Sequence, residues 1–248
     1  MNRFVADLAF AILILISFNS WAKTPDWSVY AKVLQSVKSG VKHQTPLALV
    51  NYDQLKKSGQ LEAAYQKIKN FPVETLSGRE EKLAFYINVY NILAIKMVLD
   101  HWPVESIKDA GSLFRPVWGK TVGIIDGNKI SLDDIENNLL RPMGEPRIHF
   151  AIVCASVSCP DLRTKPYAAE QLSTQLDAQV RSFLHNNKKG LQTGEREIHV
   201  SKIFSWFEKD FSPVGGIEKF IHHYRSDLPD LKIVADIDYD WSLNAVVK

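Results

Sequence analysis

The sequence predicts an α+β fold in which a central apolar helix packs on a small, mostly antiparallel sheet, with further helices around it. Three observations lead there. One long apolar segment, around residues 78–100, has helical length. Several short runs rich in Val and Ile are bounded by turn residues. The two kinds of segment mix without the regular strand–helix alternation of a doubly wound sheet.

The chain opens on a targeting pattern. Arg3 and the free amino terminus give a weakly positive start, Leu8 to Phe18 form an apolar run, and Ser20-Trp21-Ala22 put small residues where a signal peptidase inspects. The run is 11 residues long, whereas spanning a bilayer takes about 20. The expectation is a cleavable signal peptide over residues 1–22, a periplasmic or secreted protein, and no stable membrane span after cleavage. Asp7 weakens the positive start, so an uncleaved anchor is the alternative. The remainder, 23–248, reads as a single globular domain, since no repeat, low-complexity tract or linker divides it. A net charge of +2 argues against nucleic acid or an anionic membrane surface as partner.

Pro25 to about Ser39 carries Trp27, Tyr30, Val33, Leu34 and Val37 at helical spacing, and Gln60 to Asn70 gives a second helix stopped by Pro72. Both are expected outside the main core, with a polar stretch containing Pro46 between them. The long helix runs from about Gly78 to Asp100, with Glu80 and Glu81 in its first turn. Its apolar residues cover more than one face, which makes it central. Val117 to Ser131 predicts a β-hairpin turning at Asp126-Gly127-Asn128. Ser131 and Asp134 form a variant capping box for a helix over Leu132 to Leu140. Ile148 to Cys154 predicts a buried strand, Tyr167 to Asn187 a long amphipathic helix ending at Lys188-Lys189-Gly190, Glu197 to Ile203 a strand, Gly216 to Tyr224 a short helix and Leu231 to Ile237 a last strand.

Five segments resemble successive signatures of one family. They are Phe85-Tyr86-Ile87-Asn88-Val89-Tyr90-Asn91, Ser131-Leu132-Asp133-Asp134-Ile135-Glu136, Pro146-Arg147-Ile148-His149-Phe150-Ala151, Cys154-Ala155-Ser156-Val157-Ser158-Cys159-Pro160 and Ser201-Lys202-Ile203-Phe204-Ser205-Trp206-Phe207. The chain is similar, over about Glu81 to Asp210, to domain-of-unknown-function family 547. The resemblance implies no particular reaction and transfers no catalytic residues. It does expose two departures. Asn137 stands where many relatives carry His, and Asp161 replaces a second proline after Cys159-Pro160.

The residues themselves point to the loop beyond the expected strand. On a strand His149 would open one face and Cys154 close the other, with Cys159 in the loop after it. Two cysteines in an oxidising compartment read first as a Cys154–Cys159 disulfide. The sharper alternative makes Cys159 a nucleophile and His149 its base, for acyl transfer or hydrolysis. A redox-active pair is a third reading, against which stands the absence of Cys-x-x-Cys spacing. Arg147 and Arg163 flank the segment and are candidates for holding a carboxylate or phosphate. Asn88 and Asn91 share one face of the central helix, where buried amides must be hydrogen-bonded either to loops or to a ligand. Glu136 is expected to pair with Arg141 or Arg147, with general acid work as its alternative. Trp118 is a candidate groove residue, whereas Trp206, Phe207 and Trp241 read as core closure. No phosphate loop, nucleotide fingerprint or zinc motif occurs, so neither cofactor nor metal is predicted. The leading function is a ligand- or partner-binding domain with a polar pocket at the Cys-x4-Cys loop. Its partner would be a small molecule or an envelope protein.

Overall fold

The computed structural model describes residues 25–112 and 116–246. The expected signal peptide lies outside them. The described chain is an α+β mixture built on one long central helix, α4 (Arg79–Asp100), and its seven strands form three separate small sheets rather than one.

The amino-terminal part packs more tightly onto the core than expected. Helix α1 (Ser28–Leu34) stops early, because Val37–Lys42 (β1) turns back at His43 and Gln44 to pair antiparallel with Thr45–Val50 (β2). His43 and Gln44 have φ of 48° and 60°. Their left-handed geometry matches the twist of a two-residue hairpin, although neither is Gly, and the turn carries no Asn-Gly or Asp-Gly signature. Pro46 is tolerated in this two-stranded pair at the sheet edge. Helices α2 (Tyr52–Ser58) and α3 (Gln60–Lys69) follow. Tyr30, Val33, Leu34, Leu61 and Ile68 are all buried in the main core, so these helices belong to it.

Helix α4 begins where Glu81 accepts hydrogen bonds from the backbone N–H of Ser77 and Gly78, at 2.9 and 3.0 Å. It is long and apolar enough to cross a membrane, yet its residues from Leu83 to Val98 are almost all buried within the protein. The hairpin β3 (Thr121–Ile125) and β4 (Asn128–Ser131) packs beside it and turns at Gly127, whose φ of 76° suits glycine. Ser131 and Asp134 cap the next helix reciprocally. That helix, Asp134–Leu140, has the wider i→i+5 winding of a π-helix.

A second core lies to one side. Strands β5 (Leu191–Thr193), β6 (Glu197–Ser201) and β7 (Lys232–Ile237) form a sheet in which β5–β6 is antiparallel and β6–β7 parallel. Helices α6 (Ile203–Trp206), α7 (Glu208–Phe211) and α8 (Gly216–Tyr224) surround a cluster of Phe150, Phe183, Phe204, Phe211 and Phe220. Helix α5 (Leu172–His185) joins the two cores: Leu172 and Leu176 enter the first, Val180, Phe183 and Leu184 the second.

The expected strand over Ile148 to Cys154 does not form. Pro146–Phe150 is a short 3-10 helix and 151–160 an irregular loop. Pro146 opens the turn and Glu145 caps it by accepting from the N–H of Arg147. The apolar run is buried because it threads the seam: Ile148 faces the first core and Phe150 the second. Its backbone is satisfied by side-chain amides instead of a neighbouring strand. Asn91 donates to the carbonyl of Ala151 at 3.0 Å and accepts from the N–H of Val153 at 2.8 Å, while Gln179 donates to the carbonyl of Phe150.

Candidate functional site

The seam between the two cores contains a cavity of about 310 Å³. Helix α4 contributes Tyr90, the π-helix Glu136 and Asn137 with Asp133 just before it, and the 3-10 turn His149. The disulfide loop supplies Cys154 and Cys159. Rings of Trp118, Trp206, Phe207, Tyr239 and Trp241 form the walls. The expected polar pocket is therefore an aromatic one with a few polar groups at its base.

Four of these rings touch one another. Trp206 stacks on Trp241 with centroids 5.8 Å apart, and Tyr239 lies 4.8 Å from Trp206 and 4.5 Å from Trp241. Trp118 meets Trp241 at 5.9 Å. Trp206 is 47% exposed, so it lines the rim instead of closing a core. The Trp241 ring already carries a cation, with Lys108 Nζ 3.6 Å from its centroid.

His149 is 3% exposed and lies flat against Phe207, with centroids 3.9 Å apart and 18° between the planes. Its Nε2 is 2.8 Å from Asp210 Oδ2. Asp210 also receives Arg141 through two bonds, Nε to Oδ2 at 2.6 Å and Nη2 to Oδ1 at 2.9 Å. Burial works to raise the Asp210 carboxyl, but Arg141 and then His149 outweigh it and hold it below the usual range. Burial lowers His149 to about 4, against the pull of Asp210. The imidazole is thus neutral near pH 7. Its Nε2 carries the proton toward the carboxylate, leaving a lone pair on Nδ1. Nδ1 bonds to no group among the described residues.

Glu136 lies deeper than Asp133, at the foot of Tyr90. Burial raises its carboxyl to about 7; Arg141 pulls the other way and Asp133 adds to the rise. The expected Glu136–Arg141 pair is not formed, because the Arg141 donors go to Asp210 and, at 2.7 Å, to Asn137 Oδ1.

Cys154 and Cys159 are joined as a disulfide, and there is no free cysteine. Cys159 Sγ accepts from the N–H of Cys154 at 2.9 Å and from the Tyr239 hydroxyl at 3.3 Å. Lys189, expected as a polar helix ending, is instead buried beneath this loop. It donates to the carbonyl of Cys159 and to Asp161 Oδ1, each at 2.7 Å. Asp161 also accepts from the N–H of Ala48. The departure from a second proline thus has a structural role here. The carboxy-terminal tail closes the other side, through Val157 N–H to Ser242 and Asp240 N–H to Ser158 Oγ.

Of the site residues expected from sequence, the cavity gathers His149, Cys154, Cys159 and Glu136. Asn88 and Asn91 stand behind it as clamps, Asn88 pairing with both the N–H and carbonyl of Tyr167 at 2.9 Å. Arg147 faces away and is held by Glu145 and Asp177. Arg163 lies over the Tyr167 ring and lines a separate surface groove with Asp161 and Gln179. Sequence reasoning missed Asp210, Asn137 as a wall residue, and Tyr239. The missed signal for Asp210 was its place at the end of the aromatic Ile203–Phe207 run.

Residues 73–184 match the model of a family described as "Protein of unknown function, DUF547". No curated protein and no solved structure matches the chain. The matched span carries the polar base of the cavity and stops short of Trp206, Phe207, Asp210, Tyr239 and Trp241, which complete its walls.

Proposed function

Residues 73–184 make this chain a member of the DUF547 family, and from the geometry of its seam we propose that it binds a small, largely apolar organic molecule there. One observation carries the proposal. A histidine 3% exposed, with one ring nitrogen unpartnered among the described residues, lines an aromatic-walled cavity of about 310 Å³. An apolar concavity with a few convergent polar groups is the usual form of a ligand site. Thiol chemistry is the weaker reading, because the Cys154–Cys159 bond leaves no thiolate to act as nucleophile.

The neutral fluorophore N-phenyl-1-naphthylamine tests the reading. Its emission is expected to rise saturably with one site per chain. Trp206→Ala, which removes a rim ring outside the cores, is expected to weaken binding about tenfold, the effect of losing one aromatic contact of ~1.4 kcal/mol. Non-saturable emission, or binding indifferent to that substitution, contradicts the site.

Export belongs to the same proposal. Cysteines paired as a disulfide suit an oxidising compartment. Protein recovered from the envelope fraction is expected to begin at Lys23, and recovery of a chain retaining Met1 contradicts cleavage.

A further inference from the structure

Resting on the cavity as a ligand site, we infer that its ligand carries a protonated amine, seated among the aromatic rings with its N–H donors directed at Glu136 and His149. The polar base offers acceptors and few donors. His149 presents Nδ1 as a lone pair, because its proton is engaged by Asp210 at 2.8 Å. The cationic Arg141 is committed to Asp210 and Asn137. The Tyr239 hydroxyl is directed to Cys159 Sγ at 3.3 Å. Among the described residues no Lys or Arg forms an ion pair with Asp133 or Glu136.

A neutral polyol needs donors and acceptors in balance, and an anion needs donors; this base suits neither. An ammonium ion brings N–H donors to acceptors of this kind and also gains from the ring faces. The Lys108 ammonium already over the Trp241 ring shows one of these rings accepting such a charge. Asp133, more exposed, lies on the same side and deepens the negative potential.

The inference has a pH signature. The groups around Glu136 are Asp133 and Arg141 near it in sequence, Tyr90 on α4, His149 on the 3-10 turn, Asp210 on α7 and Tyr239 on the tail. His149 titrates near 4 and Asp210 below its usual range, whereas Tyr90 and Tyr239 are raised above theirs. Between pH 6 and 8 the change therefore belongs to Glu136, at about 7. Deprotonation favours the cation, so affinity rises with pH and binding releases a proton.

The test compares benzylammonium with benzyl alcohol, a neutral molecule of the same size, by displacement of N-phenyl-1-naphthylamine from the full-length protein. Benzylammonium is expected to bind at least about tenfold more tightly at pH 8, as a charge-assisted contact implies. Its affinity should fall about tenfold from pH 8 to pH 6, following ionisation of a group near 7, and Glu136→Gln should remove both the preference and the pH dependence. Equal or tighter binding of benzyl alcohol overturns the amine while leaving the cavity a ligand site. So does failure of both compounds to displace a saturably bound fluorophore. If the fluorophore itself does not bind, the ligand site and the amine fall together.

Discussion

Glu136 and His149 are the residues where burial acts most directly on function, and they shift stability in opposite directions with pH. Glu136 is raised to about 7 by burial, from an ordinary carboxyl value of 4.5. The folded protein then holds a proton that the unfolded chain has released, so stability falls as pH rises through that interval. Glu136→Gln is expected to raise stability at pH 8 by about 2 kcal/mol and to leave it unchanged at pH 4, read by urea unfolding. A loss of stability at pH 8 would contradict the assignment. His149 is lowered by burial to about 4, so the unfolded chain binds the extra proton and stability declines as pH falls from about 6.5 toward 4. A His149→Gln protein should lack the His149 share of that decline. Lys189 belongs to this scale too. Removing its ammonium by Lys189→Met leaves the carbonyl of Cys159 without this donor and Asp161 without its charged partner, with only the N–H of Ala48 still bonded to the carboxylate. The expected loss is about 3 kcal/mol, and a change below ~0.5 kcal/mol would contradict its role as the loop's anchor.

At the scale of elements, the irregular segment 146–160 depends on side chains for what a sheet would ordinarily supply. Asn91 answers two of its backbone groups, and Asn88 does the same for Tyr167 beyond it. Asn91→Ala is therefore expected to cost about 2–4 kcal/mol, since it strands a buried carbonyl and N–H together. A loss no greater than that of an exposed substitution would mean that water replaces the amide. This segment also marks where sequence reasoning succeeds and fails. Helices α4 and α8, the hairpin at Gly127 and the Ser131 cap were legible because each rests on local signals: an apolar period, a turn residue, a capping pair. The run from Ile148 to Cys154 is apolar because it crosses between two cores, and burial on both sides produces the same composition as a central strand. The β1–β2 hairpin was hidden because His43 and Gln44 adopt left-handed geometry without a glycine to announce it. Arg147 looked like a ligand contact, and only its three-dimensional neighbours, Glu145 and Asp177, show that its charge is already matched.

At the scale of the whole molecule, two hydrophobic cores share a helix and a seam, and the candidate site occupies that seam. Half of it was legible: His149, Cys154, Cys159 and Glu136 stand in recognisable motifs. The other half comes from residues far along the chain, Trp206, Asp210, Tyr239 and Trp241, which only folding brings to the first set. The disulfide and the tail hold the two halves in register. Reducing the Cys154–Cys159 bond, whose cysteines are five positions apart, is expected to lower stability by about 2 kcal/mol, as closure of so short a loop implies. It should also weaken ligand binding, because one wall of the cavity is then free to move. Retention of full affinity after reduction would separate the disulfide from the site.

The most direct measurement follows the tryptophan indole N–H resonances of the isotope-labelled protein during titration with N-phenyl-1-naphthylamine. A ligand in the seam shifts Trp118, Trp206 and Trp241 together and leaves Trp27 and Trp102, which pack elsewhere, unmoved. Shifts confined to Trp27 or Trp102, or none at all, would contradict it.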